Sequence, residues 1–397
     1  IRSIEASEDA LATWSKRGVT GVRFVADQAQ LARALQQVTR IVSPQNTLPA
    51  LAGVRIQVLD PVMPDGHGTV RLSATDLTSE VMVEVLVSGA EPGGIVLPAS
   101  TLTDLVLRIP TAEVRCDVDI VGHRATVAYG RNRATLQGFG LQEMPDFPRR
   151  DLDALEFDLG PGALNRLARQ TVFATAHDES RPVLKGAHVK LGDGKLIMVG
   201  TDGTRLSHAW VALPEYRGPE TEFVVSQRAL SEAARLAGAE ATHLKRAGNQ
   251  LEIRTAAGTL VTLLLEGRYP DYQRVLPEQY LTRIRVGTDA LRGAVERVNL
   301  IAHKDRGGSI RLGYNGSALE IQSEAIDVGQ AYEMLEVDGE GQPMELSFSP
   351  GLLLDGIKSL ETEQMALDFS GAEMPARLSE VEGSSYFHIV LPLRQMV

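Results

Sequence analysis

Apolar residues recur every third or fourth position in six separate stretches of the chain, and between those stretches they alternate. The first stretch, Gln28 to Val42, carries a stripe of Leu31, Ala34, Leu35, Val38, Ile41 and Val42, the i, i+3, i+4, i+7 spacing of an amphipathic helix. The stripe returns in Pro161 to Ala176 (Leu164, Leu167, Ala168, Thr171, Val172) and in Thr288 to Ala302 (Leu291, Ala294, Val295, Val298). A strand pattern precedes each: VRFVA, LEFDL and TRIRVG. A second helical pattern follows in each region: ASTLTDLVLRI after IVLP, SQRALSEAARLA after FVV, and SPGLLLDGIKSL after ELSF.

These markers keep their order and spacing. Leu31, Leu164 and Leu291 mark the first helices, Leu102, Leu230 and Leu352 the second, and Asp76, Asp202 and Glu324 the strands between them. All three series step by about 125 residues, which predicts an internal triplication. Within each copy the strands alternate with period two and meet at hairpin signals such as Asp193-Gly194 and Asn315-Gly316. The predicted class is α+β, with antiparallel sheets and two helices per copy packed on one face.

Copies two and three meet at Gly267 to Pro277, GRYPDYQRVLP. The apolar run Leu260 to Leu265 before it reads as a buried strand. Gly267 and Pro270 then end that strand for opposite backbone reasons. Two tyrosines, two arginines and two prolines make this a stiff, half-exposed connector.

At 397 residues the chain exceeds one ordinary core, and 43% apolar content fills two or three. No apolar run approaches the roughly 20 residues that span a bilayer. The opening residues lack an apolar signal region, so a cytoplasmic location is expected. Cys116 is the single cysteine, which excludes an internal disulfide.

The net charge of −11 opposes indiscriminate nucleic-acid binding by the surface as a whole. The helices depart from that balance. Arg33, Arg40, Arg166, Arg169, Arg292 and Arg297 lie on the first helices, and Arg108, Arg228, Arg235 and Lys358 on the second, nearly all away from the apolar stripe. Against them stand Asp104, Glu232, Asp289, Glu296 and Asp355. Two readings fit: ordinary wet helix faces, or a basic helix-lined surface that attracts a polyanion without reading its sequence.

Catalytic motifs are absent: no GxxxxGK[ST], HExxH, GxSxG, or GxGxxG between strand and helix. The histidines form no i, i+4 pair for a metal. His177, Asp178 and Glu179 cluster at a helix end, and Thr75-Asp76 and Thr201-Asp202 recur as turn chemistry. No enzyme activity, cofactor or metal is expected. A cytosolic enzyme using Asp202, His177 or Glu179, and a protein-binding scaffold, are the competing readings.

Taken together, TLPALAGVRIQV (47–58), the TDL turn (75–77), GRNRATL (130–136), SRPVLKG (180–186), GTDGTRL (200–206), GRYPDYQRVLP (267–277) and YFHIVLPLR (386–394) resemble the bacterial DNA polymerase III beta subunit family of sliding clamps. The resemblance runs in order from about residue 22 to 394. It implies three repeated processivity-fold (DNA clamp) domains, at 22–149, 150–278 and 279–397, after a polar extension at 1–21. It further implies a head-to-tail homodimer in which two chains close a ring around double-stranded DNA. The ten helix cations named above would then face the DNA channel. Inside such a ring, weak phosphate contacts allow sliding where base-specific bonds would stop it.

The family also implies a cleft for short linear motifs of the DNA polymerase III alpha subunit, the clamp loader delta subunit, other polymerases and repair proteins. Its walls would come from Arg181 and Leu184 in SRPVLKG and from Thr201, Gly203, Thr204, Arg205 and Leu206 in GTDGTRL. Pro270, Arg274 and Val275 come from the connector, and Ser349 and Leu352 from the last helix. Ile389, Val390, Leu391, Pro392, Leu393 and Arg394 complete it. Thr204 stands where the family often has His, and Leu352 where an aromatic is common. The HKDRGGS loop (303–309) lacks a frequent aromatic, and Gln45, Pro182 and Val183 replace residues that often contact DNA.

Overall fold

The computed structural model describes residues 21–43, 48–60, 63, 65–149, 154–178, 180–302, 308–383 and 385–393. The expectations for the N-terminal extension, Gln45, Glu179, Arg394 and most of the HKDRGGS loop lie outside these residues. By spatial contact the chain divides into two compact units, residues 1–153 with 252–262, and residues 154–251 with 263–397. The second holds the expected third repeat and most of the expected second, whose residues 252–262 fall in the first unit instead.

All six predicted helices are present: α1 (Gln28–Thr39), α2 (Ala99–Leu107), α3 (Ala163–Thr171), α4 (Gln227–Ala237), α5 (Thr288–Ala302) and α6 (Pro350–Lys358). Side chains start two of them by satisfying open N–H groups. Asp27 accepts from the Gln30 amide at 2.9 Å, and Ser226 accepts from the Ala229 amide at 3.2 Å. Helix α3 stops short of the predicted Ala176. Thr171 Oγ1 donates back to the Leu167 carbonyl at 2.7 Å, and the chain tightens into a 3-10 turn at Val172–Ala174. The predicted stripes are the buried faces, with Leu31, Leu35, Leu164, Leu167, Leu291 and Val295 each at most 4% exposed.

In the first unit, one antiparallel sheet runs in the order Asn132–Gln137, Arg124–Tyr129, Glu113–Asp119, Gly21–Asp27, Ser79–Glu91 and Gly258–Leu263. The strands Gly68–Thr75, Gly53–Val58 and Gly93–Pro98 branch from Ser79–Glu91. Gly258–Leu263 carries the predicted apolar run, with Leu260, Val261 and Thr262 buried. Helices α1 and α2 pack side by side, joined by the Thr39 and Thr103 hydroxyls at 2.8 Å.

The second unit is built on a nine-stranded sheet in the order Thr221–Ser226, Gly186–Gly192, Lys195–Thr201, Arg205–Ala212, Tyr386–Val390, Ala376–Glu380, Gln364–Phe369, Thr282–Gly287 and Asp338–Gly341. Its centre joins segments nearly the whole unit apart, in the antiparallel register Arg205↔Val390, Leu206↔Ile389 and Ser207↔His388. The unit also holds a four-stranded sheet, Gly329–Glu336, Ala318–Ala325, Ile310–Tyr314 and Met344–Phe348, and the antiparallel pair Ala154–Leu159 and Thr242–Ala247. The Asp193-Gly194 hairpin has φ of 49° and 67°, both left-handed, as a two-residue turn of that hand requires.

Candidate functional site

The site begins with a turn that the chain makes twice. In the second unit Thr201 Oγ1 donates to the Arg205 carbonyl at 2.6 Å and accepts from the Gly203 amide at 3.1 Å. Asp202 Oδ1 accepts from the Thr204 amide, the Thr204 hydroxyl and the Arg205 amide at 2.7–3.1 Å. Thr75, Asp76, Thr78 and Ser79 repeat the pattern in the first unit. Both aspartates hold turns, as their sequence context predicts. Glu324, the third marker, instead lies within the strand Ala318–Ala325 and accepts from Gln330 at 3.0 Å.

One wall of an apolar groove rises from the Thr201–Arg205 turn. The strand pairing sets Leu206 beside Ile389, and the Leu391 amide donates to the Thr204 carbonyl at 3.0 Å, so the chain after Val390 continues along the turn. Gly203, at φ 93°, passes beneath the Arg181 guanidinium, where a Cβ would come within 3.1 Å. The resulting cavity of about 160 Å³ is lined by eleven predicted residues: Arg181, Leu184, Thr201, Gly203, Thr204, Arg205, Leu206, Pro270, Val275, Ile389 and Leu391. Asp271, Tyr272 and Pro375 line it too. Asp271 and Tyr272 lie inside the connector, beside the predicted Pro270. Pro375 has no local signal, because only the pairing of Ala376 with Val390 brings it there.

Among the described residues, the other predicted cleft positions do not line this cavity. Val390 is fully buried, and Arg274 turns back onto Asp271 at 2.9 Å. The Leu393 amide donates to the Ser347 carbonyl at 2.7 Å, which carries Pro392 and Leu393 toward the strand leading into α6, whose start bears Ser349 and Leu352. Arg205 is not an open rim charge. It is 8% exposed, pairs with Asp202 at 2.9 Å and Asp355 at 2.6 Å, and donates to the Phe173 carbonyl at 2.7 Å.

The connector is held flat on the sheet by its tyrosines. Tyr269 stacks on His188 with ring centroids 5.0 Å apart and donates to the Val199 carbonyl at 3.2 Å. Tyr272 meets both His188 and His208, and His208 stacks on Phe387 at 4.6 Å. Burial pushes His188 below the usual histidine range. Burial, and secondarily the nearby Arg377 cation, bring His208 down to about 4. Both rings are therefore neutral at neutral pH. The tyrosines of the connector serve packing and position Pro270 and Val275.

None of the ten helix cations is buried. Arg108 pairs with Asp104 at 3.0 Å, Arg235 with Glu232 at 2.6 Å, Arg292 with Asp289 at 2.9 Å and Lys358 with Glu296 at 3.1 Å. Arg297 binds Glu333 through two nitrogens, and Arg169 pairs with Glu361. Arg166 donates to Ser385 Oγ at 3.3 Å and to the Trp210 carbonyl at 3.4 Å. Exposed pairs of this kind contribute little to stability. They also lower the attractive field below what a bare count of cations suggests.

Among the described residues, no three His, Cys, Asp or Glu side chains gather as a metal site. Paired helices over antiparallel sheets, repeated along the chain, define the class as a DNA clamp fold. Sequence models of the DNA polymerase III beta subunit match in order: the N-terminal domain over residues 22–148, the central domain over 158–271 and the C-terminal domain over 273–394. The chain belongs to the bacterial DNA polymerase III beta subunit family, the beta sliding clamps, which are non-catalytic.

Relatives include the beta sliding clamp of Escherichia coli K12, 29% identical over 94% of this chain and 100% of that protein. The Bacillus subtilis clamp is 27% identical with the same coverage. Its crystal structure superposes with a TM-score of 0.86 over 95% of this chain and 100% of that one, at 26% identity. The Pseudomonas aeruginosa clamp bound to griselimycin superposes with a TM-score of 0.86 at 27% identity, over 94% of this chain and 100% of that one.

Proposed function

We propose that this chain is a DNA sliding clamp that encircles duplex DNA and tethers the replicative polymerase for processive synthesis. The observation that carries the reading is the ordered match of all three beta-subunit domains across the chain. Three domains, with boundaries at 22–149, 150–278 and 279–397, would supply half of a six-domain ring. The helix cations would face the DNA, and the −11 charge of the whole would discourage DNA from the outside.

The groove is the proposed landing site for short motifs of the DNA polymerase III alpha subunit, the clamp loader delta subunit, other polymerases and repair proteins. Its apolar walls at Leu184, Leu206, Pro270, Val275, Ile389 and Leu391 suit apolar anchor residues, and Arg181 at the edge suits an acidic flank. No helix among the described residues is long and apolar enough to cross a membrane.

Topology rather than affinity would hold such a ring on DNA. Loaded onto nicked circular DNA, the protein is expected to stay through gel filtration, and to be lost once the circle is cut to a linear form with free ends. Equal retention on the two forms would exclude sliding.

A further inference from the structure

The geometry assigns Arg205 a positioning role: its guanidinium locks the groove open by tying the Thr201–Arg205 turn to helix α6 through Asp355. This inference rests on the reading of the groove as a partner-peptide site and deepens it. Three observations lead to it. Arg205 is 8% exposed, so its charge is not offered to a ligand in the groove. Its Nε, Nη1 and Nη2 atoms are all engaged, with Asp202 Oδ2 at 2.9 Å, Asp355 Oδ2 at 2.6 Å and the Phe173 carbonyl at 2.7 Å. Its guanidinium also lies over the Phe173 ring at 5.5 Å, and that ring packs on His388 at 5.4 Å, beneath the strand bearing Ile389.

The acceptors belong to three separate segments. Asp202 is in the turn that forms one groove wall, Phe173 ends the α3 region, and Asp355 lies on α6, 150 residues away in sequence. A planar donor set fixed at three points holds those segments at one mutual angle. The Leu391 amide bonds to the Thr204 carbonyl of the same turn, so that angle also sets where the Leu391 wall lies. Asp355 itself does not line the cavity. Partner affinity therefore depends on a carboxylate that the partner does not touch.

A double-mutant cycle tests this, with a QLSLF pentapeptide as the probe and calorimetry as the readout. Asp355→Asn is expected to weaken binding about tenfold, and Arg205→Gln by a similar factor. The double variant should lose little more than either alone, and Asp355→Glu should recover part of the affinity. In the peptide-free protein, Asp355→Asn should also speed hydrogen exchange at the Leu391 amide. Faster exchange at Leu391 with unchanged exchange at core amides such as that of Val225 separates a loosened groove wall from a fall in global stability. Unchanged affinity in Asp355→Asn, losses that multiply in the double variant, or unchanged Leu391 exchange would each overturn the assignment. Failure of the unmodified protein to bind the peptide would instead overturn the groove reading.

Discussion

Leu77 and Gly203 occupy equivalent places in the repeated turn, and both have positive φ, 71° and 93°. For glycine this conformation is free, whereas for leucine it places Cβ against the carbonyl oxygen at a cost of about 1–2 kcal/mol. Leu77 is 45% exposed, so little packing offsets the strain. Leu77→Gly is expected to stabilise the first unit by about 0.5–1 kcal/mol once the added chain entropy of glycine is counted, read as a higher urea midpoint of that unit. The groove offers a second test at single residues. Val275 and Leu391 are 54% and 41% exposed, so Val275→Glu or Leu391→Glu should leave the thermal midpoint within about a degree or two. Each should weaken the QLSLF peptide about tenfold or more by placing a carboxylate on an apolar wall. The first is measured by urea titration, the second by calorimetry.

At the scale of elements, the order of the connector is expected to depend on pH. His188 and His208 are held neutral beneath Tyr269 and Tyr272, with Arg377 next to His208 and Lys190 and Glu222 next to His188. Histidine in the unfolded chain titrates near about 6.5, while folded His208 takes a proton only at about 4. Its contribution is thus complete above about 6.5 and falls as the pH drops toward 4, because the unfolded state binds the proton first. Tyrosine fluorescence and exchange at 269–275 should show the connector loosening over that window, and His208→Phe should flatten the pH response. A response centred above pH 7 would contradict this account.

The elements also show how far local pattern reaches. The six helices follow from stripes such as Leu31–Leu35–Val38, because burial of one helix face leaves a period in the sequence. The turns at Asp76 and Asp202 follow from short polar side chains that bond to their own backbone. Eleven groove residues were reached through the family motifs. Pro375, the burial of Val390 and the capture of Arg205 by Asp355 were not, since each depends on strand register or on a pairing 150 residues apart. A periodicity reports which face is buried, not which partner buries it. The shortened α3 has a similar origin, because the back-bonded Thr171 hydroxyl ends a pattern that polarity alone would continue.

At the scale of the whole molecule, each unit presents a sheet edge. Asn132–Gln137 ends one sheet in the first unit, next to Arg131 and including Arg133. Gly329–Glu336 ends the four-stranded sheet in the second, with Glu336 at its end and Tyr332 and Met334 exposed. Unpaired edges invite strand addition, and a basic edge on one chain complements an acidic edge on another. In the proposed head-to-tail homodimer, such a contact made twice between two chains would close on itself. Met334→Lys, which would set a cation against Arg131 and Arg133 in that pairing, is expected to weaken the proposed dimer about tenfold or more while leaving QLSLF affinity unchanged. Sedimentation equilibrium checks the first effect and calorimetry the second.

The central register of the nine-stranded sheet, Leu206↔Ile389, has a consequence in time. During translation the Thr201–Arg205 turn emerges well before its partner strand, so one groove wall exists as a nascent segment with the other still unmade. Contacts this far apart along the chain form late and slowly. A chain interrupted before residues 386–391 would therefore lack one wall of the groove, and the proposed landing site would be complete only once the chain is.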